Sequence, residues 1–293
     1  MLTVVSIFAD ANNQQTEKMR RILALLMLAG VFIQPACSKE EEKTLPQEEQ
    51  EDLRFIDNFE FFNEEVWTKE TRHPGWVNQE LQAYRPANVS VGVDDGKTVL
   101  ILTAERQGDQ IYSGRVNSQG KFNFKYGRIE ASIKLPKTGN GLWPAFWMMG
   151  DNGKNWPACG EIDILEMGER TGIKNGTTDR YYNAAIHYGA DVASHRQEYY
   201  GAEFAYSLQD GAYHTYALDW SENTLTVSID GIAFRSFDIG PLSGRHEYFQ
   251  DPCFVLLNLA VGGAFPDIHD PSELTALKDG ESAHMYIDWV KVY

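Results

Sequence analysis

The chain has 293 residues, 43% of them hydrophobic and 12% aromatic, enough apolar mass for one large all-β domain with a packed core or for two smaller domains. Its net charge of -16 at pH 7 excludes nucleic acid and anionic lipid as electrostatically steered partners, because polyanions would be repelled. A neutral partner fits better, and seven Trp, fourteen Tyr and fifteen Phe supply flat apolar faces of the kind that stack on the C–H sides of sugar rings.

The first fifty residues read as an address. Lys18, Arg20 and Arg21 lead into ILALLMLAGVFI (22–33), an apolar run too short to span a bilayer and of the length of a signal-peptide core. Ala36 stands directly before Cys37 in QPAC, and SKEEEKTLPQEEQED follows, charged and without aromatics. This resembles a bacterial lipoprotein signal over residues 1–37, with Met19 as an alternative start and Cys37 as the lipidated residue, although Gln34 departs from the usual aliphatic residue. Residues 38–52 are expected to be an acidic flexible linker and 53–293 a single domain. The expected location is therefore the outer membrane or cell surface, held only by the lipid on Cys37. Plain secretion, a periplasmic protein or a buried N-terminal helix are the alternatives. Cys159 and Cys253 are the cysteines left in the domain, so a disulfide between them stays open, but cysteines do not build this scaffold.

From Leu53 onward, short alternating or β-branched runs recur between turns: NVSVGV (88–93), TVLILTA (98–104), GRIEASIKL (127–135), EIDILEM (161–167), YYNAAIHYG (181–189), HTYALDW (214–220), LTVSIDGIAF (225–234), FVLLNLAVGG (254–263) and YIDWVKVY (286–293). Asp94-Asp95-Gly96 and Asp230-Gly231 mark hairpin turns. Long helical periodicity is missing. The pattern predicts an all-β jelly-roll sandwich of two curved antiparallel sheets, whose concave face can hold an elongated chain molecule.

The stretch GEIDILEMG (160–168) poses a problem of phase. Glu161 and Asp163 share a strand face, but Glu166 should point the other way. A β-bulge in Ile164-Leu165 would return it to the same face. Glu161 and Glu166 would then be roughly 13 Å apart at Cα, and their side chains could bring the carboxylates to about 5 Å, the spacing of retaining glycosidases. Asp163 between them would raise a neighbour's pKa and hold a proton near the pair. An isolated E-x-D pair is more often a solvated strand edge. Here Ile162, Ile164 and Leu165 demand burial on the opposite face, so the acids line a cleft.

The same motif resembles the bulged E-x-D-x-x-E signature of glycoside hydrolase family 16, and its flanks agree: GWVNQELQAY (75–84), YSGRVNSQGKFNFKYGRIEASIKLPKTGNGLWPAFWMMG (112–150), NWPACGEID (155–163), IHYG (186–189), HTYALDW (214–220) and FVLLNLAVGG (254–263). The likeness runs from Phe55 to Tyr293 and is strongest to bacterial laminarinases, endo-acting β-1,3-glucanases. It implies a concanavalin A-like jelly roll, retention of configuration, Glu161 as nucleophile, Glu166 as general acid/base and Asp163 as the residue that tunes Glu161. It also implies that Trp143, Trp147 and Trp156 line the cleft, and that Asn78, Glu80 and Arg115 reach sugar hydroxyls. Arg115 could equally pair with a carboxylate. His187 would approach the acids, and Asn258 would face the cleft if Leu257 and Leu259 face the core.

The resemblance implies no redox or nucleotide cofactor. A structural calcium on the convex side would use Asp288 and the Gly96 carbonyl, although Asp57-Asn58-Phe59 lacks the acidic residue that relatives often carry at its centre. A monomer acting on β-1,3-glucan is expected. Another polysaccharide, such as mixed-linkage β-glucan or a marine galactan, is the alternative, since His195, Arg196 and the 239–250 loop do not discriminate between substrates. A non-catalytic glucan-binding module is the third reading, opposed by the three intact acids.

Overall fold

A computed structural model describes residues 53–293. The expected signal of residues 1–37, Cys37 and the 38–52 linker lie outside the described residues. The strands are β1 (Phe55–Asp57), β2 (Thr68–Lys69), β3 (Ala83–Tyr84), β4 (Val89–Asp94), β5 (Lys97–Gln107), β6 (Gln110–Ser113), β7 (Arg115–Asn117), β8 (Asn123–Phe124) and β9 (Gly127–Lys134). They continue as β10 (Leu142–Gly150), β11 (Glu161–Met167), β12 (Tyr181–Tyr188), β13 (Arg196–Glu203), β14 (His214–Trp220), β15 (Thr224–Ile229), β16 (Ile232–Asp238), β17 (Cys253–Val261) and β18 (Ser282–Val292). One short helix, α1 (Arg170–Asn175), follows the acid strand β11.

These strands form the expected two-sheet jelly roll. One sheet runs β16-β15-β14-β9-β18-β5-β6-β3, with β1 added on β18 and β4 on β5. The other runs β13-β12-β11-β10-β17-β7-β2, with β8 on β17. The short β3 is parallel to β6. The two expected hairpin turns carry left-handed residues, Asp95 and Gly96 (φ 48 and 76) and Asp230 and Gly231 (φ 51 and 77), as a two-residue turn matched to strand twist requires.

Alternation decides which side chains enter the sandwich. On β9, Ile129, Ala131 and Ile133 are buried, while Arg128 turns outward and pairs with Asp219 at 2.8 Å. Ile129, Ile133, Leu218, Val227, Ile287 and Val290 from one sheet meet Phe146, Met148, Ile162, Ile164, Ile186, Val255 and Leu257 from the other. Each such burial contributes about 1.5–3 kcal/mol. The core therefore fixes one face of β10, β11, β12 and β17 and leaves their other face for the site. Strands β10 and β13 were not among the runs singled out in the sequence. Pro144 interrupts β10, and β13 reads RQEYYGAE, with no apolar alternation.

Candidate active site

The phase problem is resolved by a bulge at Ile164. Across β10, Glu166 pairs with Ala145, Leu165 with Phe146 and Asp163 with Trp147, so Ile164 has no partner. Across β12, Asp163 pairs with Ala185 and Glu166 with Asn183, again one residue longer on the acid strand. Glu161, Asp163 and Glu166 thereby share the open face, while Ile162, Ile164 and Leu165 are fully buried in the core. The carbonyl exposed by the bulge does not go unsatisfied, because the buried Tyr182 hydroxyl donates to Ile164 O. Glycine is required at both ends of the motif. A Cβ on Gly160 (φ +80) would lie 2.1 Å from Tyr248 O, and one on Gly168 (φ +95) 2.0 Å from Leu142 O.

Burial governs the electrostatics of the three acids. Glu166 is held well above the ordinary glutamate range, first by burial and then by the charge of Asp163. It accepts a hydrogen bond from Trp143 Nε1 at 3.1 Å, and Trp143 is itself stacked on Phe265 at 4.6 Å. Burial likewise raises Asp163, whose Oδ2 is enclosed without a hydrogen-bond partner. His187 Nε2 lies 3.3 Å from it. Glu161 is pushed up to about 8 by burial and by the charge of Asp163, against the opposing effects of His187, Arg115 and a Trp156 hydrogen bond. A proton on Asp163 removes the second of the raising causes. Glu161 also keeps 16% of its side-chain surface, against 7% for Asp163, so water assists its ionised form. Of the two glutamates Glu161 is thus the easier to ionise, and Glu166 is the one held protonated.

The other expected residues fall around this strand. Asn258 is on the open face, between Leu257 and Leu259 in the core, and its Oδ1 accepts from Trp147 Nε1 at 2.7 Å. Its amide reaches Tyr84 Oη at 3.3 Å, and Tyr84 donates to Glu80 at 3.2 Å. Glu80 also accepts from Gln82 at 2.6 Å and from the exposed Asn78 at 3.3 Å. Of the two roles open to Arg115, pairing is observed: its Nε lies 3.0 Å from buried Glu70, while its positive charge still acts on Glu80 and Glu161. His187 faces both Asp163 and Glu161, the latter at 3.8 Å. Trp156 packs on His195 at 4.6 Å.

Glu70, Trp76 and Phe265 were not singled out in the sequence, and His195 was noted only as uninformative for substrate. Trp76 is 38% exposed, with the Arg72 guanidinium 4.3 Å and that of Arg115 5.2 Å from its ring centre. A signal for it was present, since GWVNQELQ places this indole two residues before Asn78. Glu70 and Phe265 had none, because they meet their partners only through the fold.

The residues at the expected calcium position do not fit that ion. Asp288 Oδ2 lies 2.5 Å from Lys97 Nζ, next to Gly96. Lys134 binds both Asp94 and Asp95, the latter at 3.0 Å. Two ammonium groups thus supply the positive charge that a cation would bring. Among the described residues, three acid, histidine or cysteine donors come within 4.8 Å of one another only at Glu161, Asp163 and His187, the same residues as the candidate catalytic cluster. Cys159 and Cys253 are buried free thiols, so no disulfide joins them.

Paired buried carboxylates flanked by indoles, on the open face of a two-sheet β-sandwich, define a carbohydrate-active protein of the glycosidase class. The chain belongs to the glycosyl hydrolases family 16, whose pattern matches residues 79–291. A family 16 endo-glucanase from Bacteroides ovatus, in complex with G4G3G-2F-DNP, is 63% identical to it, covering 82% of this chain and 99% of that one with a TM-score of 0.79. The laminarinase catalytic domain from Thermotoga maritima is 30% identical, covering 82% of this chain and 97% of that one with a TM-score of 0.67. The glucan endo-1,3-beta-glucosidase of Cryptopygus antarcticus is 34% identical over 249 residues, 77% of this chain and 85% of that protein. The chain spans about a third of two longer relatives, 30% of the Tachypleus tridentatus clotting factor G alpha subunit and 33% of the Niallia circulans glucan endo-1,3-beta-glucosidase A1.

Proposed function

We propose that this protein is a retaining endo-β-glucanase. One observation carries the reading: the bulge at Ile164 brings Glu161 and Glu166 onto one face, where burial holds Glu166 well above the ordinary glutamate range. Glu166, protonated, donates to the glycosidic oxygen while Glu161 attacks the anomeric carbon, forming a glycosyl-enzyme and releasing the leaving sugar. Glu166, now ionised, takes a proton from the water that attacks the same carbon, which frees the product and restores both carboxyls. Asp163, holding a proton beside Glu161, keeps the nucleophile from sharing its cleft with a second full charge.

The substrate reading is β-1,3-glucan, supported by the laminarinase and endo-1,3-glucosidase relatives. Mixed-linkage β-glucan is the second reading. A specific observation favours it, since a Bacteroides ovatus mixed linkage glucan PUL protein, 63% identical, is in complex with a G4G4G3G product. Reducing-sugar release from laminarin, mixed-linkage β-glucan and an unbranched β-1,4-glucan, with product sizing, separates the two. Faster release from laminarin supports the first, and faster release of short oligosaccharides from mixed-linkage glucan the second. No release from any of them would overturn the glycosidase reading. The reading extends to location: the apolar run before Cys37 supports export and lipid anchoring. Cys37→Ala in the full chain is expected to abolish lipid labelling and free the domain, and a membrane-bound variant would overturn that part.

A further inference from the structure

His187 and His195 are joined edge to edge. His187 Nδ1 lies 3.0 Å from His195 Nε2, with the ring planes 4° apart and the centroids separated by 5.2 Å. Rings nearly parallel, with facing nitrogens in contact and centres this far apart, make an in-plane N–H···N bond; they do not lie over one another. The other nitrogen of His187, Nε2, points at Asp163 Oδ2 (3.3 Å) and Glu161 Oε1 (3.8 Å). Asp163 Oδ2 is buried and without a hydrogen-bond partner, which makes the proton state of this nitrogen consequential.

The loop that delivers His195 is tightly built. Asp191 caps the single turn Val192–Ser194 in a reciprocal capping box. A Cβ on Gly189 would lie 2.7 Å from Ser194 O and 3.0 Å from His195 Cα, so β12 and this turn approach too closely for another residue. Trp156 closes the other side, 4.6 Å from His195 and 6.2 Å from His187 between ring centres.

A neutral imidazole has one proton for two nitrogens, and the bond made at one decides the state of the other. If His195 donates from Nε2, His187 Nδ1 must accept, and the His187 proton is forced onto Nε2, facing the acids. We propose that His195 is a positioning residue for the reaction: it locks His187 in the Nε2–H tautomer, which aims a donor at Asp163 and Glu161 and steadies negative charge on the acid strand. Burial and the neighbouring His187 lower the pKa of His195, in keeping with a neutral donor. The charged and titratable groups around the pair are Glu161, Asp163 and Glu166 of β11, Arg115 across the cleft, and Asp191 and Arg196 in the loop of His195 itself. Of the loop groups, Asp191 is engaged by Ser194. The inference rests on Glu161 being the nucleophile of the proposed glucanase, and its test has one arm that requires no turnover.

The variants are His195→Phe, which keeps a ring against Trp156 but has no N–H, and His195→Gln, which keeps a donor. Nitrogen-15 NMR of His187 is expected to show the Nε2–H tautomer in the native protein and in His195→Gln, and a mixture in His195→Phe. An Nδ1–H tautomer in the native protein, or a His187 signal unmoved in His195→Phe, overturns the proposal. The second arm is the pH dependence of kcat/KM on an aryl β-glucan oligosaccharide. Loss of the aimed donor makes the nucleophile harder to ionise, so the acid limb of His195→Phe is expected to move up by about half a unit, with KM little changed and the limb restored in His195→Gln. Equal loss of kcat at every pH in both variants, with the limb fixed, means a merely structural histidine and overturns the proposal. A native protein inactive on every glucan would sink the glucanase reading, while the NMR arm still decides the tautomer.

Discussion

The two sheets treat their acids in opposite ways. On the ten-stranded sheet, burial tends to raise Asp94, but hydrogen bonds from Lys134 and Tyr213 outweigh it and hold the carboxyl below its usual range. Asp288 is likewise bound by Lys97. On the open face of the eight-stranded sheet, Asp163 and Glu166 are buried without a cation in contact, and both are raised. Arginine is present on that face, but Arg115 is committed to Glu70 at 3.0 Å and acts on Glu161 only as a more distant charge. An acid given a partner is a structural element, whereas an acid denied one is kept ready to exchange a proton.

The strongest way to break this contrast is to neutralise the one acid that must be charged. Glu161→Gln is expected to keep the fold and glucan binding while lowering kcat by about four orders of magnitude or more, as read by reducing-sugar assay and affinity electrophoresis. Next in size is Glu166→Ala, expected to lose about 10²–10⁴ in rate on glucan, with much less loss on substrates carrying an activated leaving group. Added azide should then yield a β-glycosyl azide. An α product would contradict retention.

Asp163→Asn sharpens the contrast through stability. A carboxyl raised on folding stabilises the protein below its unfolded pKa of about 3.9, and that contribution is lost as pH rises through the folded value. The variant is therefore expected to gain about 2 kcal/mol over the native protein at pH 7.5, with the difference closing toward pH 4 in thermal unfolding. Lys134→Met tests the other sheet with the opposite sign. Asp94, lowered on folding, contributes above its unfolded pKa and loses that contribution as pH falls. The variant should lose about 1 kcal/mol at pH 7 and little at pH 2–3. The smallest effect concerns the ammonium groups at the β4–β5 turn. The thermal midpoint of the native protein should not move between excess calcium and a chelator, whereas Lys97→Met, which frees Asp288, should lose stability without responding to calcium.

What could be read from the sequence follows from how local each feature is. The bulge was legible because Glu161, Asp163, Ile164 and Glu166 conflict in phase within one strand, and the hairpins because Asp-Gly turns state their own backbone. Arg115 could be narrowed to two roles but not assigned, since Glu70 stands 45 positions away. Trp143 was expected at the cleft, but its support from Phe265 depends on two distant segments meeting. His195 was noted as uninformative for substrate, and its contact with His187 arises from an irregular turn that carries no periodicity. The residues of the expected calcium position do not fit that ion for a local reason: the lysine directly after Gly96 pairs with Asp288.

The unpaired Ile164 also constrains how this chain could change over generations. Every substitution in β11 leaves the phase where it is, so no series of point replacements can convert the bulged strand into an unbulged one. Only loss of a codon could do so. That loss would remove a fully buried side chain and leave the Tyr182 hydroxyl without the carbonyl it now serves. The spacing of the three acids is therefore an all-or-none inherited character, protected by the core behind it as much as by the chemistry in front.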